Sequence, residues 1–279
     1  MTATTAAPAP TSVAPNRTLR GVARSELKRL IRRSYTGIGA ILIVFVSLMG
    51  ASAVFVAGEE IPENAPLMGE PVDLASADGL VAGFSMSSNL IGIIALSLWA
   101  VAAATDYTTG WIRLMVQAEP RRWRLLTGKL ITLTSLTIAG TLLATLVTVS
   151  LAPALASAAG VSTGAWWDSA LTTIVSGWLD LTLSTLAWGV IGFAIATITR
   201  SSVAAIAGGI GYILVFEGLL TRMIEADVTD YLPGAILSAI VSGGTSSTTY
   251  GTALLLAAAY STIAVGITAY VFHRRDITS

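Results

Sequence analysis

An all-α membrane protein of six transmembrane helices is the fold class this sequence predicts, and three observations predict it. Of the 279 residues, 54% are hydrophobic and only 11% are charged, with a mean hydropathy of +0.75, whereas a soluble domain averages about 25% charged residues. The apolar residues are gathered into six stretches, each long enough to supply the roughly 20 helical residues that cross about 30 Å of hydrocarbon. No alternating-polarity pattern of barrel strands is visible, and in lipid a helix satisfies its own backbone hydrogen bonds.

Residues 1 to 16, rich in Ala, Thr and Pro, read as a disordered cytoplasmic tail, and residues 17 to 279 read as a single transmembrane domain. From Arg17 to Ser34, Leu19, Ala23, Leu27, Leu30 and Ile31 recur at helical spacing while Arg20, Arg24, Lys28 and Arg32 take another face. That pattern predicts an interfacial amphipathic helix, with a positive topogenic flank as the plainer and compatible reading. The six spans run approximately Thr36 to Ala57, Leu80 to Ala104, Leu130 to Leu151, Ala170 to Thr199, Val203 to Leu220 and Thr249 to Phe272. A cleaved signal peptide competes for the first, since Ala51-Ser52-Ala53 resembles a cleavage site. The long basic region before it and the continuation of the apolar run to Ala57 favour a retained span.

Lys and Arg set the orientation. Seven of them (Arg17, Arg20, Arg24, Lys28, Arg29, Arg32 and Arg33) precede the first span, and five (Arg113, Arg121, Arg122, Arg124 and Lys129) lie between the second and third. Arg200 follows the fourth span, and Arg274 and Arg275 follow the sixth. The loop from Gly58 to Gly79 carries Glu59, Glu60, Glu63, Glu70, Asp73 and Asp78 with no base. The positive-inside rule therefore predicts a multi-pass plasma-membrane protein with both termini cytoplasmic. With no Cys and one His, His273, disulfides and Cys/His metal sites are excluded.

Between the second and third spans lies a basic amphipathic segment. Tyr107, Trp111, Leu114, Met115 and Ala118 form one apolar stripe, with Arg113 and Gln117 facing elsewhere. Pro120 should stop this helix, because the residue before a proline is driven out of the α region. Arg121, Arg122, Arg124 and Lys129 would then lie at headgroup level, able to meet anionic lipid or a protein surface. An ordinary membrane-hugging loop is the alternative.

Asp106-Tyr107, Gly110, Ile112-Arg113, Pro120-Arg121-Arg122, Arg124 and Lys129 resemble, without gaps, the cytoplasmic motif of type-2 ABC transporter permeases, especially those of actinobacteria. The family more often has Glu where Asp106 stands and a basic pair at Thr108 and Thr109. Glu217-Gly-Leu-Leu220 followed by Tyr231-Leu-Pro-Gly234 resembles the acidic end of the family's fifth span and the external re-entrant helices after it. His273-Arg-Arg-Asp-Ile277 resembles its usual ending. The resemblance implies a permease subunit of an ATP-driven exporter, working as a homo- or heterodimer upon a cytoplasmic ATPase that binds ATP and Mg. The docking groove of that ATPase would receive Asp106, Tyr107, Gly110, Trp111, Arg113, Met115, Pro120, Arg121, Arg122, Arg124 and Lys129. The chain itself has no G-x-x-x-x-G-K-[ST] phosphate loop, so ATP hydrolysis is expected on the partner and no enzymatic activity or bound cofactor here. No nucleic-acid partner is expected. An ion-coupled secondary transporter is the leading alternative, although it would need coupling residues near the midplane.

The cargo is less legible, and an amphipathic or hydrophobic molecule is the expectation. Thr134, Thr137, Thr141, Thr145 and Thr148 on the third span, with Thr173, Ser176, Asp180 and Ser184 on the fourth, are spaced to line a weakly polar path. Interhelical or local backbone hydrogen bonds are the commoner use of such hydroxyls. Asp180 lies 20 residues before Arg200, about 30 Å along a helix, which places it near the outer interface rather than the midplane. Glu217 has a similar depth. Gly189, Gly192, Gly208, Gly209 and Gly211 allow close helix contact. Trp166 and Trp167, near a predicted outer boundary, favour an interfacial belt.

Overall fold

The computed structural model describes residues 19–31, 34–57, 72–108, 122–223 and 228–274. Among these residues the chain is helical, without strands. It begins with α1 (Leu19–Ile31) and α2 (Ser34–Ala57), then a short 3-10 turn (Ala77–Val81) leads into α3 (Gly83–Thr108). The long α4 (Arg122–Ala159) and α5 (Ala170–Thr199) follow, and then α6 (Ser202–Gly211) runs through a π-helical turn (Tyr212–Glu217) into α7 (Gly218–Met223). A short buried α8 (Pro233–Val241) precedes α9 (Tyr250–Arg274).

Six helical stretches are long and apolar enough to cross a membrane: Thr36–Ala57, Ala77–Asp106, Trp123–Ala159, Ala170–Thr199, Ser202–Leu220 and Tyr250–Val271. Five agree with the expected spans to within a few residues. The third does not: it is 37 residues long, about 55 Å at helical rise, well beyond the hydrocarbon thickness. The polar start from Trp123 to Lys129 hides its helicity from a hydropathy reading, because charged residues on an amphipathic end break the apolar run without breaking the helix.

The bundle is built around α3 and α5. Two thirds (67%) of the most apolar window of each is buried, against 17% in α9. Small residues bring their axes together. A Cβ on Gly189 would stand 2.6 Å from the Trp99 ring, one on Gly92 would stand 2.2 Å from Trp188, and one on Gly192 would stand 2.5 Å from the Leu96 carbonyl oxygen. Gly209 of α6 meets Leu96 in the same way. By contrast, Gly208 and Gly211 meet nothing within 4 Å among the described residues.

The paired tryptophans separate. Trp167 is 62% exposed, but Trp166 is fully enclosed and donates from Nε1 to the Leu74 carbonyl at 2.9 Å. This corrects the interfacial-belt expectation for Trp166, which pins the segment before α3 to the turn before α5 instead. Gly79 makes room for that ring, since a Cβ there would lie 2.6 Å from the indole nitrogen.

Candidate functional site

At one end of the bundle four charged side chains from three helices converge. Asp106 lies in the last turn of α3, where a negative charge opposes the helix dipole and needs a cationic partner. Two are supplied. Arg29 of α1 donates from Nη1 to Asp106 Oδ1 at 2.7 Å, and Lys129 of α4 donates from Nζ to Oδ2. Arg29 also donates from Nη2 to Glu26 Oε2 at 2.7 Å, one turn back on its own helix. Glu26, Asp106 and Lys129 are all buried.

Two acids and two bases make the cluster formally neutral, the condition under which charges tolerate burial. Burial pulls the Arg29 pKa down, but the Asp106 carboxylate and then Glu26 outweigh it, so the guanidinium is held above its ordinary value and stays charged. The apolar side of the same junction is a cluster in which Leu30 meets Leu133, Trp99 and Phe193, with Leu126 and Leu130 packed against it. Charges thus fix the register of α1, α3 and α4, and the leucines supply the burial.

The predicted docking residues fall into two groups. Gly110, Trp111, Arg113, Met115, Pro120 and Arg121 lie outside the described residues, as do Arg32 and the tail over residues 1–16. The backbones of Tyr107 and Arg122 complete the end of α3 and the start of α4. Asp106 and Lys129, expected among surface-docking residues, are instead buried against each other and bracket the segment from within. The reason is energetic: a buried charge left alone on either helix end would be costly, and pairing the two, with Arg29 as a second partner of Asp106, offsets that cost. Arg124 is half-buried, its guanidinium 5.6 Å from the centre of the Trp123 ring. On α1, Arg24 and Lys28 are exposed and Leu27 is half-buried, as the periodicity predicts, although Ile31 is 58% exposed.

The candidate path residues do not share one cavity. Thr137 and Thr141 line an apolar cavity of about 200 Å³ between α2, α3 and α4, and their hydroxyls serve structure. Thr137 accepts from Trp99 Nε1 at 3.0 Å, and Thr141 shares a 2.7 Å hydrogen bond with Thr182 of α5. Asp180 lines a separate, polar cavity of about 400 Å³ with Asp73, Asp78, Thr173, Ser176 and Ser242. This second cavity lies at the end of the bundle opposite Asp106, and Tyr250 at the start of α9 donates its hydroxyl to Asp180 there. Ser184 is buried and lines neither. Among the described residues no group of three His, Asp or Glu is placed to hold a metal.

Two features escaped the sequence reading. Arg29 counted only as one charge in a basic flank, with nothing to signal a partner 77 residues away. Glu217 and the Leu232-Pro233-Gly234 turn were visible separately, but the structure joins them. The Glu217 carboxylate accepts from the backbone N–H groups of Gly234 at 3.2 Å and Ala235 at 2.8 Å, capping α8 across the fold. Glycine at 234 lets the carboxylate come this close, since a Cβ there would lie 2.6 Å from it and push the Glu217 side chain away.

The helices and their length define a multi-pass helical membrane protein. Residues 73–278 match the family described as protein of unknown function (DUF2705), and the chain belongs to that family. No curated protein matches it.

Proposed function

We propose that this chain is the membrane-spanning permease subunit of an ATP-driven exporter of the type-2 ABC kind. Both termini would be cytoplasmic, and a separate ATPase would seat on residues 107–124. The observation that carries the reading is the buried charge cluster, which ties together the two helix ends flanking that segment and links them to α1. A docking segment on a flexible loop would dissipate an applied force. One whose flanks are joined by Asp106 and Lys129, with Arg29 recruiting α1, passes the displacement to α3 and α4 together.

In this reading ATP binding closes the partner dimer and moves the segment, and the paired bundles shift between inward-open and outward-open states. ATP biases that equilibrium only as far as the segment makes different contacts in the two states. The amphipathic α1 lies along the inner leaflet, α8 and the turn before it form the external re-entrant element, and a second permease chain completes the path. The cargo is amphipathic or hydrophobic, in keeping with spans that bring few charges to mid-depth.

Purification of the chain in mild detergent, with recovery of a co-purifying P-loop ATPase, tests the proposal. Arg113→Glu or Arg122→Glu should lower the recovered ATPase at least tenfold without changing the yield of the chain itself. Proton-driven transport by the chain alone in liposomes, with no ATPase present, would refute it.

A further inference from the structure

We propose that the cavity between α2, α3 and α4 holds one acyl chain of an anionic bilayer phospholipid, inserted sideways from the membrane. The cavity is about 200 Å³, walled by Gly39, Ile43, Leu98, Trp99, Leu136 and Gly140 among others. A purely apolar cavity of roughly 150 Å³ stays dry and admits a small hydrocarbon. Four threonines also reach its wall, and each hydroxyl is already used within the chain. Thr36 donates to the Leu30 carbonyl at 2.6 Å and Thr185 to the Leu181 carbonyl at 2.6 Å, while Thr137 and Thr141 make the bonds described above. With the hydroxyls on the wall already engaged within the chain and the rest of the lining apolar, hydrocarbon is the filling its chemistry suits.

The cavity wall reaches the outer face of the bundle at small residues, the half-buried Ala40 of α2 and the exposed Ala139 of α4. The flanking outward side chains are apolar on both helices, with Ile41 and Phe45 on one and Ile138 and Leu142 on the other all exposed. At the end nearer Asp106, α1 lies across the cavity, because Leu30 belongs to the same apolar cluster as the cavity residue Leu133. There α1 exposes Arg24 and Lys28, suited to the phosphate of an anionic headgroup at the membrane surface. The site stands independently of the transport reading.

The full chain, reconstituted in vesicles of phosphatidylglycerol bearing a photoactivatable group midway along one acyl chain, tests this by mapping the cross-linked peptides. Expected are adducts on the wall residues Ala40, Ile43 and Leu136 as well as on the outward Phe45 and Leu142. Ala40→Trp, or the milder Ala139→Leu if the first does not fold, should cut the wall adducts at least tenfold and leave the outward ones. Wall adducts that persist in the filled variant, or that never form, overturn the proposal, as does cross-linking between two copies in their place. The absence of Cys gives a second measurement: modification of Ala40→Cys by a membrane-impermeant thiol reagent would show a wet cavity and equally overturn it. Equal wall labelling from phosphatidylcholine overturns the anionic headgroup.

Discussion

Replacing Asp106 with asparagine removes the one carboxylate that Lys129 touches while leaving the shape of the site intact. Arg29 keeps its bond to Glu26 at 2.7 Å, so the cost falls mainly on Lys129, an ammonium group buried to 6% exposure. Breaking a buried pair by deleting one partner costs about 3–5 kcal/mol. At roughly 2–4 °C per kcal/mol for a chain of this size, the melting temperature should fall by about 10 °C. Lys129→Met should cost less, because Asp106 keeps Arg29, and the double variant D106N/K129M should be more stable than D106N alone. The assay is thermal unfolding of the purified chain in one detergent, run as a double-mutant cycle. Additive single effects, or a D106N variant within about 1 kcal/mol of the parent, would show that the cluster is not a coupled unit and would remove the support it gives to a shared load path.

Three other perturbations test other parts of the fold. Trp166→Phe deletes the donor to the Leu74 carbonyl, at a cost of about 1–3 kcal/mol for a buried unpaired acceptor, and limited proteolysis just before Ala77 should quicken roughly tenfold; unchanged cleavage would refute the pin. Gly192→Ala places a Cβ 2.5 Å from the Leu96 carbonyl oxygen and should cost about 1–3 kcal/mol as α3 and α5 separate, read as a lower melting temperature. Gly208→Ala, which meets nothing within 4 Å, should leave the melting temperature level or slightly raised. Glu217→Ala leaves the N–H groups of Gly234 and Ala235 without their carboxylate and should speed hydrogen exchange at both, whereas Glu217→Gln should preserve most of the protection.

The spans were legible because burial in lipid demands unbroken hydrophobicity, a signal that needs no partner to interpret. Long-range pairing leaves no such trace. Asp106 was expected at the docking segment only through the family resemblance, and the approach of α1 and α4, which no local pattern signals, buries it. Trp166 read as an interfacial ring since periodicity cannot tell which of two adjacent tryptophans turns inward. Of the hydroxyl stripes, Thr137 and Thr141 bond across helices and Thr145 and Ser176 bond back to their own turns, whereas the Thr148 hydroxyl is buried without a partner among the described residues. Position along the chain also placed Asp180 correctly near the end opposite the basic cluster, though not its Tyr250 partner, which is 70 residues away.

If the chain is the permease proposed above, the distribution of close contacts restricts how it can move. Gly92 against Trp188, Gly189 against Trp99 and Gly192 against Leu96 interlock α3 and α5 along much of their length, and a close-packed interface of that kind does not slide by fractions of a turn. The two helices therefore move as one body. The looser elements are α2 and α4, each with 33% of its apolar window buried, and α9 with 17%. A force entering at the Asp106 cluster reaches both classes at once, since Asp106 belongs to the rigid pair and Lys129 to the looser α4. At the far end the polar cavity is walled by the segment before α3, the start of α3, α5 and the end of α8, and α9 is held to α5 beside it by the Tyr250 hydroxyl on Asp180. A single hydrogen bond to a charged group contributes only about 1.5–3 kcal/mol. That contact gives way long before the glycine–tryptophan seam does.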